Sequence, residues 1–206
     1  MNIHFPDQVS PALTLARQAL EACHAPDSFD CVGQIEEFLP REGYRLRLSP
    51  MENGKQTLCL SGGSEIGLMY GAMDFANRII PSAEQAHKWM FPYYFVNPFE
   101  TGFAPMDQTS SPSVARRGLW TWGHVIYDYR GYLTHMARLR LNELVIWNDF
   151  APLNADEIVA FAHGLGIRII WGYSWGWDTS IKTDLSDPLA LRTLEDAVVD
   201  TFVQHY

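Results

Sequence analysis

Cysteine is scarce in this sequence: Cys23, Cys31 and Cys59 are the only three among 206 residues. An odd and sparse set makes no disulfide framework, so reduced thiols in a cytoplasmic protein are the expectation. No Cys-x-x-Cys pair and no His-Glu-x-x-His stretch occurs, so neither a metal site nor a cofactor is expected. Long apolar runs are missing as well. Nothing approaches the roughly 18 residues that a membrane span requires, which argues against a membrane partner. The start, Met1-Asn2-Ile3-His4-Phe5-Pro6-Asp7, lacks the basic segment and apolar run of a signal peptide. Positive charge is outnumbered, 15 Lys and Arg against 24 Asp and Glu, for a net charge of -9. Such a surface repels phosphate backbones, and nucleic acid is not an expected partner.

What is present is apolar and aromatic: 47% of residues are hydrophobic and 13% aromatic, enough for a packed core rather than disorder. The stretch from Asn97 to Val114, with three prolines and a Thr-Ser-Ser-Pro-Ser cluster, reads as a connector and divides the chain into units 1–112 and 113–206. In the first unit, Leu13, Leu15, Ala16 and Leu20 mark an amphipathic helix over Pro11–Cys23. Ile35–Leu39, Tyr44–Leu48 and Gln56–Leu60 read as strands, with Asn53-Gly54 as a hairpin-type turn. Ser61-Gly62-Gly63-Ser64 leads into a second helix over Ile66–Ile80. Its glycine pair lacks the Lys-Ser/Thr ending of a phosphate loop, so a tight turn and helix cap account for it. Gly67 and Gly71, one helical turn apart, would let that helix approach the sheet closely. The unit is a small α+β layer.

The second unit has a different texture. Gly118–Gly123, Glu143–Trp147 and Ile167–Trp171 are apolar strand candidates, the middle one a continuous run of the kind buried on both faces. Helices are expected over Asp128–Leu141, over Ala155–Leu165 with Asn154 as cap and Gly166 as terminator, and over Pro188–Tyr206. Strand centres about 25 residues apart imply βαβ units and a parallel sheet. A complete (β/α)8 barrel takes roughly 250 residues. Fewer than 100 follow Ser113, so the expectation is α/β: a small α+β domain followed by an incomplete TIM barrel of about three βα units. An open half-barrel exposes an apolar edge and face, and self-association through it is expected.

Ligands of parallel β/α sheets bind at the carboxyl ends of the strands. Those ends carry Trp120, Trp122 and His124; then Trp147, Asn148 and Asp149; then Trp171, Tyr173, Trp175, Trp177 and Asp178. Six of the seven tryptophans lie there. Flat aromatic faces beside amide and carboxylate groups suit a sugar ring, with its apolar C–H faces and rim of hydroxyls, so a carbohydrate ligand is expected. Asp149 and Asp178 are candidate carboxylates for catalysis, for helix capping or for binding hydroxyls, and His124 is a polar rim residue without a visible nucleophile partner. Gly172-Tyr173-Ser174-Trp175-Gly176 matches a Gly-x-Ser-x-Gly elbow in letters only, because a polar stretch and not a helix follows it.

Several segments resemble glycoside hydrolase family 20, the β-N-acetylhexosaminidases. Glu42-Gly43-Tyr44-Arg45-Leu46 resembles the Glu-x-Tyr-x-Leu strand of their non-catalytic amino-terminal domain, and Gly67-Leu68-Met69-Tyr70-Gly71 its Gly-x-x-Tyr-Gly helix start. Arg117-Gly118 is similar to the Arg-Gly opening the family's first barrel strand. Met136-Ala137-Arg138-Leu139-Arg140-Leu141-Asn142 and Phe161-Ala162-His163-Gly164-Leu165-Gly166-Ile167 resemble the approaches to strands two and three. The resemblance implies a hydrolase of O-glycosyl bonds acting in carbohydrate metabolism, with Arg117 hydrogen-bonding sugar hydroxyls and Asp149 near the family's acidic residue of strand two. It also implies substrate-assisted catalysis, in which the acetamido oxygen attacks the anomeric carbon while an Asp-Glu pair after strand four steadies it and donates the proton. No position of this chain matches that pair, so no catalytic residue is assigned and the chain alone is expected to be inactive. The family's Pro-Glu-Ile-Asp-x-Pro-Gly-His after strand three is also replaced, here by Trp171–Asp178, which leaves the sugar open. An α-glucuronidase-like hydrolase, or a non-catalytic carbohydrate-binding or assembly protein, fits the same residues.

Overall fold

The computed structural model describes residues 1–89, 102–123, 125–148, 151–172 and 184–205. Their elements run, in chain order, β1 (Asn2–His4), α1 (Pro11–Glu21), β2 (Phe29–Ile35), β3 (Tyr44–Leu48), β4 (Gln56–Gly62), α2 (Glu65–Trp89), β5 (Met106–Ser110), β6 (Gly118–Trp122), α3 (Tyr129–Arg138), β7 (Glu143–Trp147), α4 (Ala155–Gly164), β8 (Arg168–Gly172) and α5 (Pro188–His205). The result is a mixed α/β fold with two sheets. None of the described helices is long and apolar enough to cross a membrane.

The first sheet has the order β1-β2-β4-β3-β5. β1, β2 and β4 run parallel, while β3 pairs antiparallel with both β4 and β5. The apolar residues that alternate along β3 and β4, Tyr44, Leu46, Leu48, Leu58 and Leu60, are buried against α1 and α2. α1 starts where Ser10 accepts a hydrogen bond from the Leu13 amide and Pro11 supplies a preset φ. α2 lies close on the sheet because it carries glycine there. A Cβ at Gly67 would stand 2.2 Å from the Gly43 carbonyl oxygen, and one at Gly71 would stand 2.4 Å from Leu60. Asn53 and Gly54 both take positive φ, and Glu52 and Lys55 exchange two backbone hydrogen bonds across them, as a two-residue hairpin turn requires.

Two expectations are corrected in this region, and β1 is an addition to them. The strand read at Ile35–Leu39 lies earlier, at Phe29–Ile35, where Phe29 and Cys31 supply the inward alternation. β1 has only three residues, too few to show a period. The expected connector contains β5, whose sequence Met-Asp-Gln-Thr-Ser has little apolar pattern because it is an exposed edge strand. Asp107 of β5 is clamped by the Arg45 guanidinium of β3 at 2.7 and 2.6 Å, which sets the register across that edge.

The second sheet is three parallel strands, β6-β7-β8. α3 and α4 cover one of its faces. Leu144 and Ile146 are fully buried there with Leu133, Met136, Ala137, Ile158 and Ala162. The opposite face is not covered in the same way: Glu143, Val145 and Trp147 are only half-buried, so β7 is not the strand buried on both sides that its apolar run suggests. Asn154 does stand at the amino-terminus of α4, but its side chain makes no capping bond. Gly166 ends α4 at a φ of 74°, with its amide donating to the His163 carbonyl and the Ile167 amide to Ala162. The two sheets share one connected core from Leu13 and Leu68 through Leu133, Leu144 and Leu165. Gly164 abuts Pro11 of α1, and Gly166 abuts Ile66 of α2.

Candidate functional site

Parallel pairing places the final residues of β6 and β7 side by side, with Trp122 in register with Trp147 and Trp120 with Val145. Residues two apart on a strand share a face, so the three indoles gather on the face away from α3 and α4. Trp122 and Trp147 stack almost parallel, with centroids 5.3 Å apart and planes 7° apart. Trp120 leans on both, at 5.8 and 5.7 Å. Gly172 makes this possible on the β8 side, since a Cβ there would stand 2.5 Å from the Trp147 ring. Trp120 and Trp122 remain 59% exposed. Stacking holds each ring in place while leaving aromatic surface open to solvent, as a platform rather than a deep pocket.

Asn148 follows Trp147, and its amide donates to the Gly172 carbonyl at 3.1 Å, which fixes the chain just beyond the strand end. Trp171 is placed differently from Trp120 and Trp122. It pairs with Ile146 and packs toward the core beneath α3 and α4, not with the exposed indoles. His124, Asp149, Tyr173, Trp175, Trp177 and Asp178 lie outside the described residues.

Arg117 is the clearest departure. It precedes β6, at the opposite end of the strand from Trp122, and its guanidinium is fully engaged there. Nη2 donates to both oxygens of Glu42 at 3.0 and 3.1 Å, Nε donates to the Arg140 carbonyl at 2.6 Å, and Nη1 donates to the Val114 carbonyl at 2.5 Å. Burial would pull this guanidinium down, but the hydrogen bond and charge of Glu42 outweigh it and hold it above the ordinary arginine value. Asn142 completes the unit: its Nδ2 donates to Glu42 at 3.1 Å, and its Oδ1 accepts from the Arg117 amide at 2.9 Å. One carboxylate from the first sheet's unit therefore gathers the starting ends of β6 and β7. In this geometry the donors of Arg117 serve as a latch between the two sheets.

Arg140 belongs to the same latch and was not singled out by the sequence. It closes α3 in the left-handed region, φ 58°, where glycine is usual. Its side chain donates to Tyr44 Oη at 3.1 Å, pairs with Asp74 at 3.3 Å and lies over the Tyr44 ring. Tyr70 packs beside it, and its buried hydroxyl lies near Arg117 without meeting hydrogen-bond geometry. Burial first, and then the Glu42 charge, push the Tyr70 phenol up. The sequence signal for the latch was the set of family-like segments themselves: Glu42, Arg117 and Asn142 come from three of them and meet at one point. Among the described residues no three His, Cys, Asp or Glu side chains gather as a metal cluster would require.

No family model matches the chain, and no curated protein matches it. Solved structures do. The exo-β-N-acetylglucosaminidase of glycoside hydrolase family 20 from Vibrio harveyi, as an inactive variant, superposes with a TM-score of 0.52 at 13% identity, over 82% of this chain and 32% of that one. The same enzyme in complex with N-acetylglucosamine gives 0.51, again at 13% identity with the same coverage. The chain thus spans about a third of the length of these neighbours. At this identity the likeness is one of fold: a glycoside-hydrolase-like arrangement of a mixed sheet unit followed by parallel βα units.

Proposed function

We propose that this chain is a carbohydrate-active protein of the glycoside hydrolase kind, comprising a non-catalytic α+β domain (1–112) and the first three βα units of a TIM-type barrel (113–206). Sugar binds on the Trp120–Trp122–Trp147 platform. The observation that carries the reading is the position of those indoles, at the carboxyl ends of parallel strands with ring surface facing solvent. Sugar C–H faces stack on such rings, and Asn148 stands next to them to meet hydroxyls. The fold likeness to an N-acetylglucosaminidase supports a sugar of that class. Sugar binding is the activity assigned to these 206 residues; the acidic pair that cleaves the bond in family 20 matches no position among them.

Titrating N-acetylglucosamine and its short β-linked oligomers against intrinsic tryptophan fluorescence tests this. Saturable quenching or a blue shift that disappears in Trp122→Ala is the expected result. A flat titration, or binding unchanged in Trp122→Ala and Trp147→Ala, would overturn the platform. Turnover of chromogenic glycosides by the 206-residue chain would overturn the assignment of binding alone.

A further inference from the structure

The end of the parallel sheet opposite the tryptophans holds a second feature. A cleft of about 320 Å³ opens between the starting ends of β7 and β8 and the turn before β3, lined by Arg41, Glu42, Ile66, Arg116, Glu143 and Arg168 among others. We propose that this cleft is a binding site for a small oxyanion, the phosphate or carboxylate group of a metabolite.

The charge balance of the cleft carries the argument. Its two carboxylates are already matched, Glu42 by Arg117 and Asn142, and Glu143 by Arg168. Arg41 and Arg116 are exposed, and neither guanidinium has an ion pair or hydrogen-bond partner among the described residues. Two unmatched positive charges therefore face one cavity on a chain whose net charge is -9. A guanidinium presents a planar fork of donors that fits a carboxylate or phosphate edge through two parallel hydrogen bonds, which a neutral sugar hydroxyl cannot match. The first turn of α2 borders the cleft through Ile66 and adds the positive end of its dipole, with Glu65 in the same turn offsetting part of it. The cleft is also held in shape. Glu42 and Asn142, held together at the latch, line one wall, and Gly166, at a φ of 74°, forms another against Ile66. The walls are therefore set before an anion arrives, and the two arginine side chains are what binding has to order.

The site is separate from the aromatic platform, so its fate does not depend on the sugar reading. Inorganic phosphate, glucose 6-phosphate and glucuronate are titrated by calorimetry and by the shift they cause in the thermal midpoint. Saturable binding of at least one is expected, weakening as salt is raised. Arg41→Ala and Arg116→Ala should each weaken it about tenfold, corresponding to ~1.4 kcal/mol, and the double variant should abolish it. Because both side chains are exposed, the variants should keep the ligand-free midpoint of the parent chain. Phosphate alone binding as well as glucose 6-phosphate identifies free phosphate as sufficient, and preference for glucuronate identifies a carboxylate ligand; either supports the site. Trp122→Ala must leave this binding intact. No saturable binding of any of the three, or equal binding by the Arg41→Ala/Arg116→Ala double variant, overturns the proposal.

Discussion

The two sheets of this chain use aromatic residues in opposite ways. In the first, Tyr44, Tyr70 and Phe75 are fully enclosed between strands and helices, and Phe29, Phe75 and Phe103 pack ring against ring in the interior. In the second, Trp120 and Trp122 stand in solvent on a face that no described helix covers. Burying large rings is the strongest source of stability a domain of this size has. Leaving indoles exposed forgoes that gain, which makes sense where the ring surface has another use. The first sheet is a scaffold, and the second presents a surface.

That contrast can be broken most severely in the scaffold. Leu60→Ala removes a fully buried side chain between β4 and α2, and should cost about 2–5 kcal/mol in a denaturant titration. Trp122→Ala should cost less, about 1–2 kcal/mol from its two ring contacts, despite deleting a larger side chain. If the two losses were equal, the division into scaffold and surface would be wrong.

The latch between the regions comes next. Glu42→Gln keeps the shape but removes the charge facing Arg117, whose side chain is 14% exposed. A loss of about 1.5–3 kcal/mol is expected, the usual range for hydrogen bonds to charged groups. If stability were unchanged, Glu42 would not be what ties β6 and β7 to the first sheet.

A smaller effect separates two causes at one residue. Arg140→Gly and Arg140→Ala both delete the contacts to Tyr44 and Asp74, but only glycine relaxes the left-handed backbone. Arg140→Gly should therefore be the more stable of the two by about 1 kcal/mol in thermal or denaturant unfolding.

The smallest effect concerns the thiols. Burial first, and then the neighbouring thiols Cys59 and Cys23, push Cys31 up to about 12, and burial alone pushes Cys23 up to about 11. A thiol whose folded value is raised contributes stability that is fully present below its unfolded value near 9.0 and is lost as pH climbs toward the folded value. Stability should therefore fall as pH climbs from about 9 toward 11 and 12, and Cys31→Ala should reduce that slope. In the native chain a thiol reagent should modify Cys59, which is partly exposed, well before Cys23 or Cys31. Rapid labelling of all three would show that the first sheet opens more readily than its packing implies.

Much of this could be read along the chain, and the limits fall in particular places. α1, α2, β3, β4 and the three parallel strands announce themselves through periodic apolar residues, because a period of two or 3.6 is the direct imprint of one buried face. β5 did not, since an exposed edge strand has no face to bury, and its register depends on Asp107 meeting Arg45 from 62 residues away. The indoles were legible as a group at the strand ends, although Trp171, one of their number in sequence, packs inward. A strand's alternation shows which residues share a face but not which face the helices will cover.

The sequence by itself determined the helices, the strands β3, β4, β6, β7 and β8, and the gathering of Trp120, Trp122 and Trp147 at strand ends, because these follow from local spacing and short-range pattern. Only the tertiary structure decided what Arg117 does. An arginine followed by glycine at the start of a strand can point toward a ligand or toward a neighbouring domain. That choice went to Glu42, 75 residues earlier in the chain, because a half-buried guanidinium is most stable where a carboxylate meets it at hydrogen-bonding distance.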